Sequence, residues 1–580
     1  MVIRETASML TRDGVRLDAD IYRPDMTEEY PVLLMRQPYG RAIASTVVYA
    51  HPVWYAEQGY IVVIQDVRGR GTSEGEFRLF ADEVDDGVDT LDWVLRLPGS
   101  SGDVGMYGFS YQGMTQLYAA SGYPEALKTI CPAMLATDLY KDWAYEGGAF
   151  CLQMNLAWAM QLEAEGARLK GDETAYREWV KASRHLPFYD EIPASPEILK
   201  TLAPDSFYHE WLHNSDYYPD GYWPTLTPNL DDVDLPMLHI GGWFDTYLRG
   251  TVHFYREMSD RSEYPQYLII GPWAHLPWGR RAGNADYGSQ ATSPIDELQI
   301  RWFDYFLKGI DTGILKEKPV TLFEMGSNCW REFDTWPEKF TQPYLLTSTG
   351  LAAVREDSGL LLPEDHSDEG ESPNGSQNRV YQNLSVSTSV ELEEMAEMEG
   401  EEEVLPDVID RLVHDPWRPV PALGGHAAIP AGSFDRAALD CRSDILTYTS
   451  DTLDEDLHLA GEGFAEIYCR ADTPSFDLCA VLSEVRSDGG VWNFTQGYVR
   501  IDTGEMPVKI QLQPTCIRIP KSHQIRLSLS AACFPAYPVN PGTGQAPSLA
   551  RLIESQIITI SVGSGNSFPS RIVLPSIVNY

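Results

Sequence analysis

Two short stretches of the chain make sharp chemical claims. The first, "HEWLH" from His209 to His213, has the spacing H-E-x-x-H. Two histidines one helical turn apart then bind Zn²⁺, and the glutamate between them serves as general base. The second, "GFSYQG" from Gly108 to Gly113, sets a serine among glycines, as an activated nucleophile requires. One simple enzyme has room for only one of them as its active site.

The serine stretch reads in context as strand, sharp turn and helix. In "DVGMYGFSYQGMTQLYAA" (103–120) a short strand through Tyr107 meets Ser110, and "YQGMTQLYAA" continues as a helix. Such an elbow aims the first helical N–H groups at a developing oxyanion. Gly108 lets the helix and strand pack closely. The second glycine, Gly113, comes three residues after Ser110 instead of two, so the motif is weak alone. Chain order strengthens it. Asp245 in "GGWFDTY" and His275 in "GPWAHLP" each follow an apolar run, giving the order Ser, Asp, His that α/β-hydrolases use. His275 would take the serine proton and return it to the leaving group, while Asp245 fixes the tautomer and stabilises the imidazolium.

An oxyanion needs two donors, and there is no H-G-G-G segment to supply the second. Tyr39 in "RQPYGR" stands on the loop after the run "PVLLM" (31–35), so its hydroxyl and the Tyr111 backbone N–H are the candidate pair. A tyrosine packed in a turn is the bland alternative for Tyr39. The zinc reading lacks a third ligand: after His213 come Asn214, Pro219 and Pro224, and the next glutamate is Glu257. Neither a metal nor a cofactor is therefore expected.

The elements that must position these residues alternate as in an α/β sheet. An Asp13-Gly14 turn precedes Val15, Leu17, Ala19 and Ile21, which alternate with polar neighbours as in a β-strand. "PVLLM" and "YIVVIQDV" (60–67) are apolar throughout, as buried parallel strands are. Helix-like stretches lie between and after them, such as "DEVDDGVDTLDWVLRL" (82–97). The expected organisation is an α/β-hydrolase domain over 1–139 and 235–316, interrupted at 140–234 by an aromatic, helix-prone cap. A C-terminal β-sandwich over 317–580 follows, where "HQIRLSLSA" (523–531) has a period of two. Inside it an acidic stretch at about 364–403 reads as a solvated insertion.

At 580 residues the chain exceeds a single core, which stops growing near ~250–300 residues. Its 44 Lys and Arg stand against 85 Asp and Glu, a formal charge of -41 that repels nucleic acid and anionic membranes. The eight cysteines are scattered without a C-x-x-C pair and are expected to be reduced, buried thiols. The N-terminal residues lack a signal-peptide core, and no run of about 18 apolar residues occurs, so a cytoplasmic location is expected. The expected partner is a small-molecule ester or amide; homo-oligomer formation is left open.

These motifs resemble the cocaine esterase-like and X-Pro dipeptidyl-peptidase hydrolases, which include α-amino acid ester hydrolases and cephalosporin acylases. "RQPYGR", "DVRGRGTSEGEF" (66–77), "GFSYQG", "GGWFDTY", "GPWAH", "RWFDYFLKGIDTG" (301–313), "HDPWRPVPALGG" (414–425) and "FPAYPVNPGTG" (534–544) carry the resemblance. That family's pattern is G-x-S-Y-x-G, in keeping with Gly113. The resemblance implies a jelly roll for the C-terminal sandwich and the same roles for Ser110, Asp245, His275, Tyr39 and Tyr111.

Cap and strand-end loops should form the acyl pocket, with Trp143, Tyr145, Phe150, Trp158, Trp243 and Phe244 as aromatic candidates. In the α-amino acid ester hydrolases an acidic pair just after the aspartate helps bind the substrate ammonium. Here Thr246, Tyr247 and Leu248 follow Asp245, which disfavours that specificity. Asp142 and Glu146 keep amine recognition alive unless they are exposed cap residues. The first expectation is thus a serine hydrolase cleaving an apolar or aromatic acyl ester. An X-Pro dipeptidyl-peptidase or amide or β-lactam acylase comes second. A transacylase, or a binding protein with a vestigial triad, comes last.

Overall fold

The computed structural model describes residues 2–24, 28–337, 341–364, 405–502 and 506–577. Its centre is a ten-stranded sheet made of β1 (Ile3–Leu10), β2 (Arg16–Arg23), β3 (Tyr30–Gln37), β4 (Ile61–Asp66), β5 (Ser100–Phe109), β6 (Leu127–Ala133), β7 (Met237–Phe244), β8 (Gln266–Ala274), β9 (Val320–Glu324) and β10 (Cys329–Phe333). Their spatial order is β1-β2-β4-β3-β5-β6-β7-β8-β9-β10. All neighbours from β4 across to β9 run parallel, with β1, β2 and β10 antiparallel at the edges.

The apolar runs explain the layers. Along β3 and β4, Val32, Leu34, Ile61 and Val63 join one buried cluster, while Leu33, Met35, Val62 and Ile64 join another. Both faces of the sheet are thus covered, as parallel strands require. On the first face lie α1 (Glu83–Val94) and α2 (Tyr111–Ser121). The cap is inserted between β6 and β7. It includes a π-helical turn at Tyr140–Ala144, a hairpin of Tyr145–Glu146 with Ala149–Phe150, α3 (Leu152–Leu169) and α4 (Phe207–His213). After β7 comes α5 (Leu248–Arg261), and α6 (Ile295–Lys308) covers the second face, packing Trp302, Phe303 and Leu307 into its cluster.

The C-terminal part contains a mainly antiparallel nine-stranded sheet, a three-stranded sheet and a two-stranded one. Leu446, Tyr448, Leu527 and Leu529 of the large sheet share a buried cluster with Leu412, Ile558, Ile560 and Val562 of the three-stranded sheet. This is the expected sandwich. Among the described residues no helix is long and apolar enough to cross a membrane.

Four expectations need correction or limits. The central sheet continues past 316, because β9 pairs parallel with β8 through Leu268↔Val320 and β10 follows as a hairpin partner. Strand β2 has the expected period of two, yet Asp18 and Asp20 on its polar side are buried. They accept hydrogen bonds from Ser8, Thr72, Thr6, Arg4 and Arg41 instead of meeting water. Cys441 is exposed and Cys329 half-buried, whereas the other six cysteines are buried and all are free thiols. Of the acidic stretch at about 364–403, all but Glu364 lies outside the described residues.

Candidate active site

Ser110 stands between β5 and α2 with φ 60° and ψ −127°, a conformation that side-chain-bearing residues avoid. The surrounding glycines make the turn sterically feasible. A Cβ on Gly108 would fall 2.5 Å from Gln112 Cβ, and one on Gly113 would fall 2.8 Å from the Ala133 carbonyl oxygen. Gly113 therefore lets α2 lie against the end of β6, which explains the spacing of three. The Ser110 amide donates to the Ala133 carbonyl at 3.0 Å, tying the elbow to the same strand end.

Asp245 follows β7 and His275 follows β8, both at the C-terminal edge where open α/β sheets place ligands. His275 Nδ1 lies 2.8 Å from Asp245 Oδ1. Asp245 is fully buried, and its other carboxylate oxygen accepts the Tyr247 amide at 3.2 Å. The imidazole ring packs 5.3 Å from Phe109, the residue before Ser110, and 5.1 Å from Tyr247. With Nδ1 committed to the carboxylate, the ring has only Nε2 left for a reacting proton.

Tyr39 reaches the same place from the loop after β3. Its hydroxyl is hydrogen-bonded to Ser110 and accepts the Trp158 indole N–H at 3.1 Å. Burial pushes the phenol up to about 12, so it stays a proton donor at neutral pH. The loop is pinned from below. The Tyr39 amide donates to Gln37 Oε1 at 3.0 Å, Gln37 Nε2 donates to Asp66, and Asp66 also accepts the Arg41 amide at 2.7 Å.

The Tyr111 amide opens α2, but its side chain runs inward to Glu83, donating at 2.7 Å. The Arg36 guanidinium donates to the other Glu83 oxygen at 2.7 Å, and both residues are buried. Phe80 stacks on the Tyr111 ring with centroids 4.7 Å apart.

The aromatic candidates separate into three places. Trp143 and Trp158 lie together at 5.2 Å, and Trp143 packs 4.4 Å from Tyr247, so these line the wall beside His275. Tyr145 and Phe150 line a cavity of about 220 Å³ with Arg500 and Asn540 of the C-terminal part, and neither Ser110 nor His275 borders it. Trp243 and Phe244 precede Asp245 in sequence but turn to the other core: Trp243 Nε1 donates to the Phe323 carbonyl, and Phe244 stacks on Tyr287.

Asp142 and Glu146 are buried, correcting their alternative as exposed cap residues. Asp142 accepts the Asp138 amide and faces His253. Glu146 faces Arg249 at 2.9 Å and is bonded to His426 at 2.8 Å and Tyr537 at 2.5 Å. Both charges are thus already answered by the protein. In "HEWLH", His209 contacts the Ala203 carbonyl at 3.2 Å, while Glu210 and His213 face solvent from a seven-residue helix. Among the described residues no group of three His, Cys, Asp or Glu could hold a metal ion.

Sequence reasoning missed Glu83, Arg36 and Gln513. Gln513, from the C-terminal part, donates to the Asp245 carbonyl at 3.0 Å. Tyr247 was visible as the second residue after Asp245, but nothing in its type announces the contact with His275.

The sheet, the elbow at a strand end, the inserted cap and the C-terminal sandwich define an α/β-hydrolase with an appended β domain. The chain matches the family model of X-Pro dipeptidyl-peptidase (S15 family) over residues 13–277 and that of the X-Pro dipeptidyl-peptidase C-terminal non-catalytic domain over 312–568. It is 28% identical to a cocaine esterase from Rhodococcus sp. (strain MB1 Bresler) over 98% of this chain and 97% of that relative. In fold it is similar to an aminopeptidase from the marine sediment archaeon Thaumarchaeota archaeon, with a TM-score of 0.77 and 20% identity, covering 100% and 96% of the two chains. It is also similar to an α-amino acid ester hydrolase, with a TM-score of 0.73 and 22% identity, covering 99% and 97%. The chain belongs to the cocaine esterase-like and X-Pro dipeptidyl-peptidase family of serine hydrolases. It acts as a serine hydrolase on ester or peptide bonds.

Proposed function

We propose that the chain hydrolyses an apolar or aromatic acyl ester through an acyl-enzyme on Ser110. His275 Nε2 takes the serine proton during attack and returns it to the leaving alcohol; water then repeats the sequence to release the acid. Asp245 holds the imidazole tautomer through Nδ1 and stabilises the imidazolium. The Tyr39 hydroxyl and the Tyr111 amide receive the oxyanion. The observation that supports the reading is the approach of Tyr39, after β3, to Ser110, after β5, on the same sheet edge where His275, after β8, bonds Asp245, after β7.

An acyl group fits against Trp143, Trp158 and Tyr247. The ester is preferred to an X-Pro peptide because a peptide's ammonium needs a free carboxylate, and Asp142 and Glu146 are both engaged. The test compares wild type with Ser110→Ala, using a fluorophosphonate probe and short-chain aryl esters, with and without a chelator. Labelling and turnover should survive chelation and fall on the order of a million-fold in the variant. Activity kept by Ser110→Ala and lost to the chelator would sink the proposal and return attention to His209 and His213. Faster turnover of X-Pro peptides or amides than of esters would overturn the substrate class alone.

A further inference from the structure

One buried charge near the site faces no counter-charge in an ion pair among the described residues. Arg70 lies in "DVRGRG", after β4, and is 6% exposed. The other four buried arginines, Arg23, Arg36, Arg436 and Arg526, each face a carboxylate. Among the described residues Arg70 forms no ion pair, in a chain with 85 acidic residues to choose from. Its Nη1 donates to the Leu162 carbonyl at 2.9 Å, its Nε has no hydrogen-bond partner, and its guanidinium lies over the Phe77 ring at 3.9 Å. Glu163 and Glu165 act on it only at a distance, and Glu165 is bonded to Arg168. Desolvating a guanidinium without a counter-charge opposes folding, so its persistence here needs a reason.

The backbone is built to turn this side chain inward. Gly69 and Gly71 flank Arg70 with φ of +68° and +56°; a Cβ on Gly69 would strike the Phe77 amide and one on Gly71 the Asp66 carboxylate. Inside, Arg70 is linked through intervening residues to each of the two residues that carry the oxyanion donors. Leu162, which it holds, is one turn beyond Trp158 on α3, and Trp158 donates to the Tyr39 hydroxyl. Phe77, on which it stacks, lies 6.0 Å from the Tyr111 ring.

We propose that Arg70 is the positive charge against which the oxyanion of the tetrahedral intermediate forms, a positioning residue that acts through Tyr39 and α3 rather than by touching substrate. The inference rests on the reading of Ser110, Tyr39 and Tyr111 given above. A fixed, desolvated cation next to the donors stabilises negative charge only as that charge develops, which is the differential binding that raises kcat. A carboxylate partner would cancel the field, so its absence is the functional feature. The same field already opposes, weakly, the effect of burial on the Tyr39 phenol.

The experiment uses the full chain and measures fluorophosphonate labelling rates, aryl-ester kcat and KM, and binding of an aryl boronic acid as tetrahedral analogue. Arg70→Gln keeps an amide donor for the Leu162 carbonyl and loses the charge; Arg70→Lys keeps the charge. Arg70→Gln should lower kcat and boronate affinity about tenfold to a hundredfold with KM unchanged, and Arg70→Lys should recover most of that. A second pair does not depend on Arg70→Gln folding. Phe77→Glu supplies the missing counter-charge and should run about tenfold slower than Phe77→Gln. Equal rates within either pair, or a change confined to KM, would overturn the inference. Absence of labelling in the wild type would instead overturn the Ser110 reading on which it rests.

Discussion

Glu83, behind the serine elbow, and Glu146, where the cap hairpin meets α5 and the C-terminal part, are both buried glutamates, and they are held in opposite ways. Glu83 faces one guanidinium, Arg36, and the Tyr111 hydroxyl, and burial dominates, raising its pKa above the ordinary range. Glu146 faces Arg249, His426 and Tyr537, which together outweigh burial and hold its carboxyl well below that range. The difference shows that partners, not depth, decide the state of a buried acid. One site keeps a network under electrostatic tension behind Ser110; the other is a fully answered clasp joining three parts of the fold.

The largest test of this contrast is Glu146→Ala. It leaves Arg249 uncompensated and His426 and Tyr537 without their acceptor, and should cost about 3–5 kcal/mol in urea unfolding. Less than about 1 kcal/mol would show that the clasp is incidental.

The pH dependence should differ in sign. For Glu146 the folded pKa is depressed, so its contribution to stability is present above the unfolded value of 4.5 and is lost as pH falls below it. For Glu83 the folded pKa is raised, so the folded protein holds the proton more tightly and stability declines as pH rises from 4.5 through the raised value. In melting curves across roughly pH 3–6, Glu146→Gln should flatten the acid-side loss, and Glu83→Gln should flatten the opposite slope. Parallel shifts of both variants would dissolve the distinction.

Much of this architecture was legible, and the reasons are physical. Continuous apolar runs announced β3 and β4, and the order Ser110, Asp245, His275 picked out three strand ends on one sheet edge, because strand ends and elbows impose local patterns. The networks were not legible. Arg36 and Glu83 are 47 residues apart, Asp245 and Gln513 268, and Glu146 and His426 280. Single polar residues at such separations leave no periodic trace. The period-two reading of "HQIRLSLSA" was right about the strand, but periodicity does not say what covers its polar side. Arg526 and Ser528 are buried, bonding Thr449 and Asp440. Trp243 and Phe244 misled because closeness to Asp245 in sequence does not fix which face of β7 a side chain takes.

A finer test of the elbow is Tyr111→Phe, which removes the donor to one Glu83 oxygen. It should cost roughly 1–3 kcal/mol of stability and lower kcat with little change in KM, as read by denaturation and aryl-ester kinetics. Unaltered kcat would separate the Glu83 network from the chemistry. The smallest effect is in thiol accessibility. Cys441 should react at once with a thiol reagent in the native protein, and Cys131 and Cys151 slowly. Glu146→Ala should quicken Cys151, close to the clasp, and leave Cys131 beneath the elbow unaffected; equal acceleration of both would mean that the two regions open together.

The hydrogen bond from Gln513 to the Asp245 carbonyl bears on how such chains diversify. Recombination at the junction between the sheet and the sandwich would already cut a shared core, since Trp243, Leu268 and Val320 join the same buried cluster as Leu446 and Leu527. A chimera made there would inherit the loop carrying Asp245 from one parent and the amide that steadies it from the other. An exchange should cost least where the incoming sandwich brings a donor to the same carbonyl.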